Sequence, residues 1–158
     1  MPATLLKPGQ NAPEINAHDQ DGNIVKIGMY KGSKLIVFFY PKDNTSGCTK
    51  EVCNLRDNFS LLTKKGIKIL GVSIDNEKSH RKFIENFDLP FPLIADPEQK
   101  VVKAWKVWGE KTLYGREYMG THRVTYLVDE AGKIAHVIEK VETDNHAEQI
   151  LALLKSDK

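Results

Sequence analysis

The stretch "TSGCTKEVC", Thr45 to Cys53, holds both cysteines of a 158-residue chain. A cysteine attacks or binds metal as thiolate, so the question is what would favour an anion at these sulfurs. The apolar spacing of Val52, Leu55, Phe59 and Leu62 predicts a helix over 48–65, stopped by Gly66. Cys48 then sits in its first turn, where unpaired N–H groups and the positive end of the helix dipole favour a negative charge. Gly47 lets backbone come close to a bound molecule, Thr45 can place a hydroxyl beside the sulfur, and Pro41 fixes the chain and shields the entrance.

The spacing of the two thiols bears on their chemistry. In an intact helix, Cα atoms five residues apart lie roughly 8.7 Å apart and about 140° around the axis. A disulfide needs Cα atoms within about 7 Å. Cys48 and Cys53 therefore cannot bond until at least one turn unwinds, which suits a redox cycle better than a permanent staple. Zinc would need further ligands, and His18, His80, His122, His136 and His146 are scattered along the chain. The remaining alternative is an inert buried thiol. Cys53 fits that description; Cys48, after Ser46 and Gly47, is the poorer candidate for core.

The elements around the pair follow from periodicity. "INAHDQDGNIVKI" alternates about Asp21-Gly22 and predicts an N-terminal β-hairpin. "KLIVFFY" (34–40) and "IKILGVSI" (67–74) read as strands buried on both faces. "EKSHRKFIENF" is a helix, with Asp75 and Ser79 as possible caps and Pro90 beyond its end. "PLIA" is a short strand. "DPEQKVVKAWKV" reads as a helix capped by Asp96, with Pro97 at its first position and Trp105 and Trp108 as packing residues. "RVTYLVD" and "KIAHVIE" form a hairpin, and "NHAEQILALLK" a last helix. This order predicts an α/β domain over 1–158, with a mixed central sheet flanked by helices in the thioredoxin-like pattern. The cysteines follow the first buried strand, where open α/β folds place their sites.

Composition narrows the function classes. A hydrophobic fraction of 41%, a charged fraction of 28% and a net charge of +2 are those of an ordinary soluble protein, with no case for nucleic acid or membrane binding. The start of the chain does not read as a signal peptide, which points to a reducing, cytoplasmic setting.

The segment "YPKDNTSGCTKEVCNLRD" resembles the active-site motif of the peroxiredoxins, Pro-x-x-x-Thr/Ser-x-x-Cys, through Pro41, Thr45 and Cys48. More narrowly it is similar to the bacterioferritin comigratory protein branch, or Q type. The lead-in "LKPGQNAPEINAHDQDG", the stretch "VWGEKTLYGREYMGTHRVTYLVDEAGKI" and the closing "NHAEQIL" extend the resemblance over nearly the whole chain. One departure is Ser46, where the branch commonly has proline.

The resemblance implies a thiol peroxidase acting on hydrogen peroxide and organic hydroperoxides. Cys48 would be the peroxidatic cysteine and Cys53 the resolving one, forming an intramolecular disulfide recycled by thioredoxin or a glutaredoxin-like dithiol protein. Thr45 and the N–H groups of Gly47 and Cys48 would bind the peroxide, Arg123 would stand beside the thiolate, and Glu51 would orient Arg123. No metal or cofactor is implied, and the branch is often monomeric. "YGREYMGTHR" reads as a loop framing the pocket. The alternatives are a thiol–disulfide oxidoreductase or peroxide sensor on the same fold, and a non-catalytic binding module. An oxidoreductase of that kind favours Cys-x-x-Cys, whereas four residues separate the cysteines here.

Overall fold

Strand β3 (Lys34–Phe39) is apolar at every position after its first, and its alternation divides the interior in two. Leu35, Val37 and Phe39 join one hydrophobic cluster, with Leu70, Val72, Val102, Trp105 and Tyr126. Ile36, Phe38 and Tyr40 join another, with Cys48, Val52, Leu55, Leu62, Phe83 and Ile150. A period of two on a strand covered on both sides gives this result.

The computed structural model describes residues 5–155. Its main sheet has seven strands in the order β2-β1-β5-β4-β3-β8-β9. Besides β3 these are β1 (Asn16–Asp19), β2 (Ile24–Lys26), β4 (Ile67–Ser73), β5 (Leu93–Ala95), β8 (Val124–Val128) and β9 (Ile134–Ile138). β3, β4 and β5 run parallel; the β1–β2 hairpin and β8–β9 pair antiparallel at the two sides. Helices α1 (Ser46–Asp57), α2 (Phe59–Lys64), α3 (Glu77–Phe87) and α5 (His146–Lys155) supply the second cluster, and α4 (Lys100–Ala104) the first. This is the thioredoxin-like, mixed α/β arrangement that the sequence predicts.

Several local expectations need correction. The helix expected over 48–65 starts two residues earlier and breaks at Asn58, which leaves helical geometry and closes α1 through its backbone N–H. The apolar spacing runs straight through this break and cannot reveal it. Gly66, at φ +78, does end α2, donating to Thr63 O. The cap of α3 is Asn76, whose side chain accepts from Ser79 N, rather than Asp75 or Ser79. Asp96 does accept from Val101 and Val102 N–H, but α4 begins at Lys100, so Pro97 lies in the turn before it. The stretch 114–123, expected as a loop, is largely strand: β7 (Arg116–Thr121) pairs with β6 (Trp108–Leu113) in a separate two-stranded hairpin. Trp105 is fully buried and Trp108 packs on the same cluster, as expected of packing residues.

Candidate active site

The sheet register brings the site together. β3 and β8 pair antiparallel, with Phe39 opposite Val124. The residue before Val124 is Arg123, so the arginine stands beside the carboxyl end of β3, where the chain turns through Pro41–Thr45 into α1. Residues some 75 positions apart in sequence thereby meet: Arg123 Nη2 lies 3.3 Å from Cys48 Sγ. Its other terminal nitrogen, Nη1, donates to Glu51 Oε1 at 2.7 Å. A planar guanidinium can serve both at once, which a single ammonium cannot.

Cys48 is fully buried, packed in the cluster of Tyr40, Val52 and Leu55. Cys53, one turn further on, is half-buried. This reverses the expectation that Cys53 is the better candidate for core. Cys48 fills a core position with its sulfur turned to a guanidinium, and apolar walls on the other sides strengthen that electrostatic contact. Both cysteines are free thiols on the intact helix α1.

The first intrahelical bond of α1 runs from Thr49 N to Thr45 O, so the N–H groups of Gly47 and Cys48 precede the ladder. Gly47 is constrained by the arginine, since a Cβ there would sit 3.2 Å from Arg123 Nη2. Thr45 occupies the cap position, but its exposed hydroxyl donates to Lys42 O at 2.9 Å rather than to Cys48. Pro41 is half-buried in the same loop.

Beneath the arginine lies a carboxylate with no exposure. Burial pushes the Glu51 carboxyl up to about 7, against the opposing pull of Arg123. Burial also works against the Arg123 charge, but Glu51 and Cys48 outweigh it and hold its pKa above the ordinary value. Lys111, on β6, donates to Thr121 O at 3.0 Å. Its pKa is lowered by burial and by Arg123, while Cys48 opposes the shift. The β6–β7 hairpin thus carries a second cation within electrostatic reach of the sulfur.

A polar knot fixes the loop that leads into α1. Asp43, almost fully buried, accepts from Tyr40 OH at 2.6 Å and Ser79 Oγ at 2.7 Å, and its Oδ2 lies 2.7 Å from His80 Nδ1. Its backbone N–H donates to Asp75 Oδ2 at 2.9 Å. Asp43, Asp75 and His80 are the one group of metal-ligand size among the described residues, and these hydrogen bonds already engage them. Sequence reading did not single out Asp43 or Lys111 and gave His80 and His146 no role at the site; most of their partners lie far along the chain.

The family comparisons agree with this geometry. The sequence profile of the AhpC/TSA family matches residues 8–137. The chain is 41% identical over 150 residues to peroxiredoxin Bcp of Escherichia coli K12, covering 95% of this chain and 96% of that one. It is 40% identical over 147 residues to peroxiredoxin Bcp of Bacillus subtilis, covering 93% and 94% respectively. Among solved structures, the bacterioferritin comigratory protein of Xanthomonas campestris, studied for its alkyl peroxide reduction activity, superposes with a TM-score of 0.86. That match has 33% identity and covers 98% of each chain. Among the described residues, no helix is long and apolar enough to cross a membrane. The chain belongs to the AhpC/TSA family, among the peroxiredoxins, and is a thiol-dependent peroxidase.

Proposed function

We propose that Cys48 is the peroxidatic cysteine and Cys53 its resolving partner. The Cys48 thiolate attacks the terminal oxygen of a hydroperoxide ROOH. An S–O bond forms as the O–O bond breaks, leaving Cys48 as sulfenic acid and RO⁻, which takes up a proton to become ROH. Arg123 is the counter-charge for the thiolate and for the negative charge moving onto the leaving oxygen. The N–H groups of Gly47 and Cys48 donate to the peroxide. Thr45 turns its hydroxyl from Lys42 O to the peroxide once substrate is bound. Pro41 walls the entrance, and Glu51 holds the guanidinium in line.

The first turn of α1 then unwinds. Cys53 attacks the sulfenic sulfur, water leaves, and a Cys48–Cys53 disulfide forms. A dithiol reductant of the thioredoxin or glutaredoxin kind exchanges with that disulfide and restores both thiols. The observation that carries this reading is the 3.3 Å contact between Arg123 Nη2 and a fully buried first-turn sulfur. The alkyl peroxide reduction studied for the Xanthomonas relative supports alkyl hydroperoxides as substrates alongside hydrogen peroxide. We further infer a monomeric, cytoplasmic enzyme.

Two variants test the assignment. Cys48→Ser abolishes peroxide turnover, because no other thiol stands at the helix start. Cys53→Ser consumes about one equivalent of peroxide and then stalls or over-oxidises. Turnover within about tenfold of wild type in Cys48→Ser contradicts the peroxidatic role.

A further inference from the structure

Glu51 is a fully buried carboxylate with one oxygen engaged and one bare. Oε1 accepts from Arg123, while Oε2 has no hydrogen-bond partner among the described residues. Leaving a buried acceptor unsatisfied is costly, the more so when it is charged. What faces Oε2 is His146 Nε2 on α5, 3.6 Å away and equally buried.

The surrounding bonds fix the hydrogens of this histidine. Gln149 Oε1 accepts from the Glu142 N–H at 2.8 Å, and Gln149 Nε2 donates to Lys140 O at 2.9 Å. The amide is thereby oriented with its oxygen 2.9 Å from His146 Nδ1, so Nδ1 carries a hydrogen. Nε2 is the nitrogen left to titrate. It lies 2.7 Å from Thr125 Oγ1, a hydroxyl that donates to a bare nitrogen and accepts from a protonated one. Thr125 therefore accommodates both states.

We propose that Glu51 and His146 share one proton beneath Arg123, and that His146 is thereby a positioning residue for the peroxidase reaction. The inference rests on Cys48 being the attacking thiol. With the proton on Glu51 Oε2, a neutral acid faces a neutral imidazole. With the proton on His146 Nε2, a carboxylate faces an imidazolium. The pair is neutral overall in either form, and the charge of Arg123 is left for the sulfur. Loss of the proton leaves Glu51 as an anion balanced by Arg123 alone, 2.7 Å away. That anion weakens the field on the thiolate and on the leaving oxygen. His146 bonds Thr125 and Gln149 and acts on the sulfur only through Glu51 and Arg123.

Burial favours the uncharged form of both groups. It raises the Glu51 carboxyl to about 7. It lowers the His146 imidazole; Gln149 opposes this, Arg123 adds to it and Glu148 opposes it. The charged groups facing the pair are Arg123 ahead of β8 and Glu148 on α5.

The test is the single-turnover rate of Cys48 oxidation by hydrogen peroxide across pH, in wild type, His146→Gln and His146→Phe. The wild-type rate falls on the alkaline side as the shared proton is lost. The Gln amide donates to Glu51 Oε2 and holds it ionised, so that fall moves down by about one pH unit. Phe donates nothing and favours protonated Glu51, so the fall moves up by about the same amount. A loss of rate that is uniform across pH in both variants, with the midpoint unmoved, overturns the proposal. A wild type inert to peroxide overturns the Cys48 assignment along with it. Carbon-13 titration of the Glu51 carboxyl in wild type needs neither variant nor turnover. The expected midpoint is about 7, with a matching response at the His146 ring. A Glu51 midpoint at the ordinary value of about 4.3, with His146 silent, overturns the shared proton whatever the variants do.

Discussion

Asp43 and Asn54 pin the chain on either side of both cysteines. Asp43 is tied to Tyr40, Ser79, His80 and Asp75 before α1 begins. Asn54 caps α5 from within α1: its Oδ1 accepts from Ala147 N at 2.7 Å and its Nδ2 donates to Asp144 O at 2.9 Å. The segment between them, 44–53, carries Cys48 in its middle and Cys53 at its last position.

Unwinding during the catalytic cycle is therefore confined to 44–53, and Cys48 travels while Cys53 stays near its anchor. Hydrogen exchange on the reduced and disulfide forms measures this. The account expects protection to be lost at the amides of 49–57, whose helical acceptors lie in 45–53, and kept at Asn58, which donates to Asn54 O, and in α5. Loss that spreads through Asn58 and Ile150 would show that the anchor at Asn54 does not hold.

Arg123 spans Cys48 and Glu51 with two different nitrogens, and that span is not reproduced by lysine. Arg123→Met is expected to slow Cys48 oxidation by about 10²–10³-fold, the cost of removing one fixed donor from a developing oxyanion. Arg123→Lys should recover only part of this. Rapid-mixing kinetics with hydrogen peroxide give both values, and an Arg123→Met rate within about threefold of wild type contradicts the role.

The buried carboxyl of Glu51 makes stability depend on pH in a specific direction. Its folded pKa, raised to about 7 by burial against the pull of Arg123, lies above the ordinary carboxyl range. Between the unfolded and folded values the folded state binds more protons, so the stabilisation present at acid pH is lost as pH rises through the folded value. Glu51→Gln removes this dependence. Urea unfolding of the reduced proteins should favour the variant by about 1–3 kcal/mol more near pH 8 than near pH 5. A difference that is constant, or that grows towards acid, contradicts the burial argument.

Much of the fold was legible because periodicity and burial coincide in it. β3 is a run of apolar residues that both clusters use, and α3 keeps its Phe83 face against the sheet between clear stop signals. β6 and β7 were not legible, because most of their positions are exposed and no apolar face alternates. Their turn also hides itself: Tyr114 takes φ 52 and Gly115 φ 77, a left-handed pair in which tyrosine is not a usual first residue. At the site, Cys48 was legible through a spaced motif and Glu51 and Arg123 through the family resemblance; the structure brings the three together. Thr45 lies beside them, but its hydroxyl is turned to Lys42 O. His146 and Thr125 meet Glu51 from other elements of the fold, and only the tertiary structure brings them there.

The central claim is that Cys48 and Cys53 form one catalytic unit, and intact mass of the reduced protein tests it most directly. One equivalent of hydrogen peroxide is added without any thiol. The account predicts a loss of about 2 Da, mapped to a Cys48–Cys53 disulfide. A gain of about 16 or 32 Da on Cys48 alone would contradict the resolving role of Cys53, and an unchanged mass after several minutes would contradict the assignment of both cysteines.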